Sequence, residues 1–121
     1  MSDLISGDRR VLVFSAHAAD FCSRAGGTIA RFTEAGSSVH IVDFSYGERC
    51  ESPALWARDP QPSIEEIKHL RAEEMKEAAD VLGTTIECLD FGDSPLLIGS
   101  QRRQQLLELF RHHQPNLVLT H

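Results

Sequence analysis

Short apolar runs alternate with longer amphipathic stretches along this chain. The apolar runs are rich in branched aliphatic residues and predict four strands, at residues 10–15, 39–45, 86–91 and 117–120. The intervening stretches repeat apolar residues at helical spacing and predict three helices, at residues 21–35, between Ser63 and Gly83, and at residues 101–113. Such alternation favours right-handed crossovers and a parallel sheet with helices on both faces. We therefore predict a single Rossmann-like α/β domain over residues 1–121.

The second helix has the most specific boundary signals. Ser63 and Glu66 form a capping-box pattern at its start, and Gly83 favours the left-handed conformation that ends a helix. The stripe that this helix should bury comprises Ile64, Ile67, Leu70, Met75, Ala78, Val81 and Leu82. The residues of the third helix that should face inward are Leu106, Leu107, Leu109 and Phe110. The loop of residues 46–62 before the second helix contains three prolines, and a loop of this length is typical of a functional segment.

Composition excludes several classes of function. The chain has 12 basic and 18 acidic residues, a formal charge of −6 and no basic stripe, so neither nucleic acid nor an anionic membrane surface is an expected partner. No apolar run is long enough to span a membrane, and residues 1–10 lack a signal-peptide pattern. Three cysteines without a Cys-x-x-Cys pair favour reduced thiols and a cytoplasmic location, with Cys22 and Cys88 buried.

The first strand ends at a histidine, and an aspartate follows three residues later. His17 and Asp20 thus leave the carboxyl end of a strand, where open α/β sheets place their ligand sites. A nitrogen and an oxygen donor at this spacing suit one divalent metal, and zinc fits best. The alternative is structural, with Asp20 as a helix N-cap and His17 as an incidental loop residue.

Residues 15–20, together with Arg24-Ala25-Gly26-Gly27-Thr28, resemble the opening of the LmbE-like, or PIG-L, zinc deacetylase superfamily. Residues 44–49, Arg71 with Glu74, and Leu82-Gly83 fall where that family has its later landmarks. The resemblance implies the strand order 3-2-1-4, which would bring His121 near His17. It also implies a zinc ion held by His17, Asp20 and a histidine of an Asp-His pair downstream of His121. We therefore expect the chain to be the amino-terminal part of a longer domain.

Two features separate this chain from the deacetylases of that family. The family's His-Pro-Asp-Asp is His17-Ala18-Ala19-Asp20 here, so Ala19 replaces the aspartate that the resemblance makes the general base. Residues 47–52 resemble a loop in a hydratase branch of the superfamily, a branch that also carries His-Ala-Ala-Asp and acts in aromatic-acid breakdown. Loss of the base should cost amide hydrolysis roughly a hundredfold or more.

These features predict a zinc-dependent hydratase that adds water to an unsaturated oxo-carboxylic acid such as 4-oxalomesaconate. Glu48 is the predicted proton carrier, and Arg49 should hold a carboxylate of this small anionic substrate. Arg71 and Asp93 are further predicted substrate-binding residues, although Arg71 could simply pair with Glu74 and Asp93 could simply form a turn.

Two other functions stay open. One is an N-deacetylase that acts on an amino sugar or a similar amide, with another group or a metal-bound hydroxide as the base. The other is a catalytically silent association module. The fourth strand would form an aliphatic sheet edge, and such edges tend to pair, so we also expect a homo-oligomer.

Overall fold

Four parallel strands form the centre of the domain in the order β3-β2-β1-β4, which confirms the predicted fold class and strand order. The computed structural model describes residues 4–121, so the predictions that include Met1 to Asp3 lie partly outside the described residues. The strands are β1 Arg10–Ser15, β2 Ser38–Asp43, β3 Thr85–Cys88 and β4 Leu117–Leu119. Strands β2 and β3 end earlier than the apolar pattern predicted, because that pattern continues into the loops that follow them.

Four helices connect these strands. Their bounds are α1 Asp20–Glu34, α2 Pro53–Trp56, α3 Ile64–Leu82 and α4 Ser100–His113. The three long helices lie where the sequence predicted them, whereas the one-turn helix α2 interrupts the predicted loop. None of the helices in residues 4–121 is long and apolar enough to cross a membrane.

The two faces of the sheet carry different helices. On one face Val13 and Ile41 pack with Phe21, Ile29 and Phe32 of α1 in the main hydrophobic core. Side chains of α3 and β3 (Ala78, Leu82 and Ile86) pack against the same core. On the other face the ring of Phe14 lies 5.4 Å from that of Phe110 on α4. The prediction of a sheet covered on both faces is thus confirmed.

The predicted helical stripes are only partly buried. In α3, Ile67 and Met75 are buried as expected, but Val81 is 88% exposed because it lies on the far flank of the last turn. In α4, Leu107 is 49% exposed, so the prediction that it turns inward is wrong. Phe110 faces the sheet through its contact with Phe14 but is still 37% exposed. The reason is that only one flank of α4 rests on the sheet, and no side chain of this helix is fully buried.

The cysteines are all free thiols, but they are less buried than predicted. Cys22 is exposed and Cys88 is half-buried. Cys22 follows Phe21, which points into the core, and the next helical residue turns by about 100° toward solvent. The prediction that Cys22 packs as a small buried residue is therefore wrong.

The predicted boundaries of α3 are confirmed in atomic detail. The Glu66 amide donates to Ser63 Oγ at 3.2 Å, and the Ser63 amide donates to Glu66 Oε2 at 2.6 Å. At the other end Gly83 adopts φ 73° and its amide bonds the last turn of the helix. A residue with a side chain is strained in this left-handed conformation.

Replacing Gly83 with Ala should lower the free energy of unfolding by roughly 1 kcal/mol, because alanine is strained at this positive φ. A steric clash does not contribute, since the added methyl group meets no atom closer than 3.7 Å. The matched control is Gly27→Ala within α1, where a methyl group meets nothing within 4 Å. That control should raise stability by up to about 1 kcal/mol. Urea unfolding of the three proteins measures both effects, and equal effects of the two substitutions would contradict the assignment.

Candidate metal centre

The turn between β1 and α1 brings His17 and Asp20 together. Asp20 is the first residue of α1 and is only 5% exposed. Its Oδ2 accepts the backbone N–H of His17 at 3.0 Å and lies 3.3 Å from His17 Nδ1. The N-cap is Ala19, which makes no side-chain cap bond, so Asp20 is not the N-cap that the structural alternative proposed.

A third donor comes from the loop after β2. Glu51 Oε1 lies 3.4 Å from His17 Nδ1, and donor atoms of His17, Asp20 and Glu51 all lie within 4.8 Å of one another. One imidazole nitrogen and two carboxylate oxygens form a donor set that zinc accepts. The residues present therefore fit a zinc ion, and the predicted pair of ligands gains a neighbour that the sequence did not single out.

Gly47 makes the approach of Glu51 to His17 sterically feasible. It adopts φ 65°, and a Cβ atom there would lie 3.1 Å from Glu51 Cβ and 3.4 Å from His17 Cβ. The Gly47 carbonyl accepts the Glu51 amide at 3.1 Å and the Ser52 hydroxyl at 2.9 Å. The sequence carries no signal that separates Glu51 from the neighbouring Glu48, because the approach of Glu51 to His17 depends on these tertiary contacts.

The carboxyl end of β4 reaches the same place. His121 Nε2 lies 3.5 Å from Asp20 Oδ2 and accepts the Ala16 amide at 3.3 Å. Strand β4 pairs with β1 in parallel, with Leu119 opposite Val13. The predicted position of His121 beside the His17 turn is therefore confirmed.

Glu48 lies on the same loop but makes no described contact with His17. It is only 2% exposed, and its Oε2 is buried without a hydrogen-bond partner among residues 4–121. Its carbonyl accepts the indole N–H of Trp56 at 2.7 Å. A hydrogen bond to Asp90 raises the pKa of Lys68, a residue of α3. The negative charge of Glu48 adds to that effect, so Glu48 lies on the side of the loop that faces α3. The described contacts thus bring Glu51, not Glu48, to His17.

The Asp93 side chain holds the loop in place by accepting hydrogen bonds from the loop's backbone amides. This buried carboxylate accepts the Arg49 amide at 3.0 Å and the Cys50 amide at 2.7 Å. Its own carbonyl accepts the Cys50 thiol at 3.3 Å. Desolvation and the Asp93 charge raise the pKa of Cys50, so this thiol is not activated. Asp93 is therefore a loop-positioning residue, and its predicted contact with substrate stays a prediction.

The predicted arginines surround this loop. Arg49 is exposed, and its guanidinium makes no ion pair within the described part of the chain. Arg71 Nη1 pairs with Glu74 at 2.5 Å, as the structural alternative expected, while its Nε donates to the Tyr46 carbonyl at 3.4 Å. Of these cations, the Arg49 side chain is the one available to a ligand.

A buried carboxyl group, missed by the sequence analysis, lies behind the metal centre. Asp43 ends β2 opposite Ser15, is 0% exposed, and neither of its oxygens has a hydrogen-bond partner in residues 4–121. Burial raises the pKa of Asp43 to about 8, with the charges of Asp20 and Glu51 adding to the effect. An acidic residue inside an apolar strand is the signal that could have identified it.

A parallel α/β sheet with imidazole and carboxylate donors at its carboxyl edge defines an α/β domain with a candidate metal centre. The family model described as PIG-L, GlcNAc-PI de-N-acetylase, matches residues 12–121. The chain therefore belongs to the PIG-L family, as the resemblance predicted. This family is generally zinc-dependent.

The chain is similar to both hydratases and deacetylases. It is 42% identical to the 4-oxalmesaconate hydratase of Pseudomonas putida over 93% of this chain and 43% of that protein. It is 30% identical to the diacetylchitobiose deacetylase of Thermococcus kodakarensis over 92% of this chain and 40% of that protein. The crystal structure of GalB, the 4-carboxy-2-hydroxymuconate hydratase from Pseudomonas putida, aligns with a TM-score of 0.88 and 41% identity, over 92% of this chain and 46% of that chain. The chain thus spans less than half the length of these relatives.

Replacing Asp43 with Asn should change how stability depends on pH. Because the folded-state pKa is raised from 3.8 to about 8, the unfolded carboxyl group ionises first as pH rises. The native protein should therefore lose stability relative to the Asp43→Asn variant between about pH 4 and about pH 8. Urea unfolding in the presence of a chelator measures this difference. The variant Asp80→Asn, at an exposed carboxylate paired with Lys76, is the control and should follow the native curve. Parallel curves for the native protein and Asp43→Asn would contradict the assignment.

Proposed function

We propose that this chain carries the metal centre of a zinc-dependent hydratase that adds water across the double bond of an unsaturated oxo-carboxylic acid. The observation that carries the proposal is where the carboxylates lie. Ala19 offers only a methyl group at the position that resembles the deacetylase base, whereas the loop after β2 supplies Glu51 at 3.4 Å from His17 and the buried Glu48. The 42% identity to a 4-oxalmesaconate hydratase supports the same assignment.

His17 and Asp20 would hold the zinc ion, with Glu51 as the nearest further donor. A bound zinc ion supplies Lewis-acid polarisation of a substrate carbonyl or carboxylate oxygen. Asp20 is kept in place by the His17 amide and starts α1, where the helix dipole favours its negative charge. The donor residues are thus positioned by backbone geometry before any ligand arrives.

Hydration places a hydroxyl group on one carbon of the double bond and a proton on its neighbour. Glu48 is the proposed proton carrier, because its buried Oε2 has no partner in the described residues and is not committed to an ion pair. Arg49 has an exposed guanidinium and is the proposed partner of a substrate carboxylate, which its planar fork binds at two points. The Asp93 carboxylate fixes the backbone from which Arg49 extends.

An N-deacetylase is the second candidate function. The 30% identity to a diacetylchitobiose deacetylase favours it, and Glu51 beside His17 could act as the base in place of Ala19. A catalytically silent module is the third and needs no metal. The small anionic substrate, a cytoplasmic location and a homo-oligomeric state also stay predictions.

The zinc assignment predicts metal loss in defined variants. His17→Ala and Asp20→Ala should each lose the bound ion, and Glu51→Gln should weaken zinc affinity roughly tenfold or more because an amide is a poorer donor than a carboxylate. Glu48→Gln is the matched control from the same loop and should keep its zinc affinity. Competition with a chromogenic chelator and elemental analysis measure these effects. Zinc contents per chain equal to that of the native protein in both His17→Ala and Asp20→Ala would overturn the assignment.

The proposed chemistry predicts which substrate the purified protein turns over. It should hydrate an enone-type oxo-carboxylic acid, followed by loss of absorbance, and release little or no acetate from N-acetylated amino sugars. Glu48→Gln should lower turnover roughly a hundredfold or more with little change in zinc affinity. Arg49→Lys should mainly raise KM, because an ammonium group cannot reproduce the guanidinium fork.

The control for Arg49→Lys is Arg58→Lys, a change at an exposed arginine just after α2 that should leave both constants unchanged. Rapid acetate release without hydration would establish the deacetylase and overturn the hydratase. Zinc binding with neither activity would also contradict the proposal. Loss of acetate release in Glu51→Gln at saturating zinc would then identify Glu51 as the deacetylase base.

A further inference from the structure

A second group of metal-binding side chains lies far from the His17 turn. His40 on β2, Glu87 on β3 and His113 at the end of α4 offer donor atoms that all lie within 4.8 Å of one another. His40 is the third residue of β2, and the small groove beside it is also lined by Arg10 and Ser38, the first residues of β1 and β2. The group therefore lies toward the amino ends of the strands, whereas His17 follows the carboxyl end of β1.

The sheet register explains why these residues meet. His40 lies opposite Thr85 and Val42 lies opposite Glu87, so His40 and Glu87 project diagonally from one face. This is the face that α4 covers, and the last residue of α4, His113, stacks its ring on His40 at a centroid distance of 4.2 Å. Because the lone pairs of stacked rings do not converge, His113 would have to rotate out of the stack to bind the same ion as His40.

Hydrogen bonds orient the His40 ring for metal binding. Its Nδ1 lies 2.6 Å from Thr85 Oγ1, and its Nε2 lies 3.0 Å from Glu87 Oε2. Without an ion, Nε2–H donates to the Glu87 carboxylate. A bound metal would displace this proton, and Nδ1–H would then donate to the Thr85 hydroxyl while Nε2 supplies the lone pair, as is usual for ligating histidines. Tetrahedral zinc with bonds of about 2.0–2.1 Å keeps its donors roughly 3.3 Å apart, close to the observed separation of His40 and Glu87.

We propose that His40, Glu87 and His113 form a second site for a divalent transition-metal ion such as zinc. Two imidazoles and one carboxylate are a borderline donor set that selects zinc or cobalt over magnesium or calcium. His113 is the last residue of α4, and the negative end of the helix dipole there favours a cation. An ion bound there would join α4 to the edge strand β3.

This link has a physical role because α4 is weakly anchored. No side chain of α4 is fully buried, so apolar packing contributes less to its attachment than to that of α1. A ligand that binds only the folded chain raises its stability in proportion to the logarithm of its concentration. Metal binding at His40, Glu87 and His113 should therefore raise the melting temperature independently of the His17 centre.

The test uses Co²⁺ alone as the probe, in a His17→Ala background that removes the first centre. We expect one Co²⁺ per chain with visible d–d absorption of a four-coordinate ion, together with a rise in melting temperature. Adding Glu87→Gln should weaken Co²⁺ binding at least tenfold while an amide still bonds His40. Adding His113→Asn should have the same effect.

The matched control is His69→Asn, which removes an exposed histidine that pairs only with Glu73 along α3. This change should leave Co²⁺ affinity unaltered. The proposal is overturned if the His17→Ala protein binds no Co²⁺, or if binding survives both Glu87→Gln and His113→Asn. Glu87→Gln replaces one carboxylate oxygen of a half-buried strand residue with an amide nitrogen, so this variant should keep the fold. Its Co²⁺ affinity therefore tests the proposal even if His113→Asn does not fold.

Discussion

The pairing of β1 on both of its edges is the constraint on which the candidate site depends. The strand bonds β2 on one side and β4 on the other, and Val11, Leu12 and Val13 are at most 3% exposed. Because all the strands are parallel, the segments leaving β1, β2 and β4 emerge at one edge. His17, Glu51 and His121 come from those three segments. Burial of the β1 side chains therefore stabilises the sheet and also brings the donor residues together.

Hydrophobic periodicity predicted much of this arrangement from sequence. Apolar runs located the strands, helical spacing located the long helices, and the rule that ligands bind at the carboxyl ends of parallel strands selected His17 and Asp20. Glu51 could not be found in this way, because its position depends on a left-handed Gly47 and on a loop held by Asp93. Those are tertiary contacts between distant segments, and no local pattern encodes them.

The same reasoning explains the errors on α4. Amphipathic spacing identifies an apolar stripe but not how much of it a neighbour covers. Leu107 was therefore assigned to the inward face although only one flank of the helix meets the sheet, and Phe110, which does contact the sheet, is less buried than expected. The pairing of His40 with Glu87 was missed for a related reason. Which residues lie opposite each other on adjacent strands depends on the register of those strands. About forty residues separate β2 from β3, and the sequence alone does not define the register between them.

The carboxylates at this edge of the sheet come from two segments, the start of α1 and the loop after β2. Ala19 is the N-cap of α1, a place where aspartate usually stabilises a helix by roughly 1 kcal/mol relative to alanine, so helix stability does not account for the alanine. An aspartate at residue 19 would lie at an edge that already carries negative charge. Asp20 and Glu51 already raise the pKa of Asp43, and a further carboxylate at residue 19 would add like charge to the same edge of the sheet. The carboxylate that lies beside His17 in addition to Asp20 is therefore Glu51, from the loop after β2. The sheet only positions these segments, so the chemistry of the site depends on which charged side chains the loops supply.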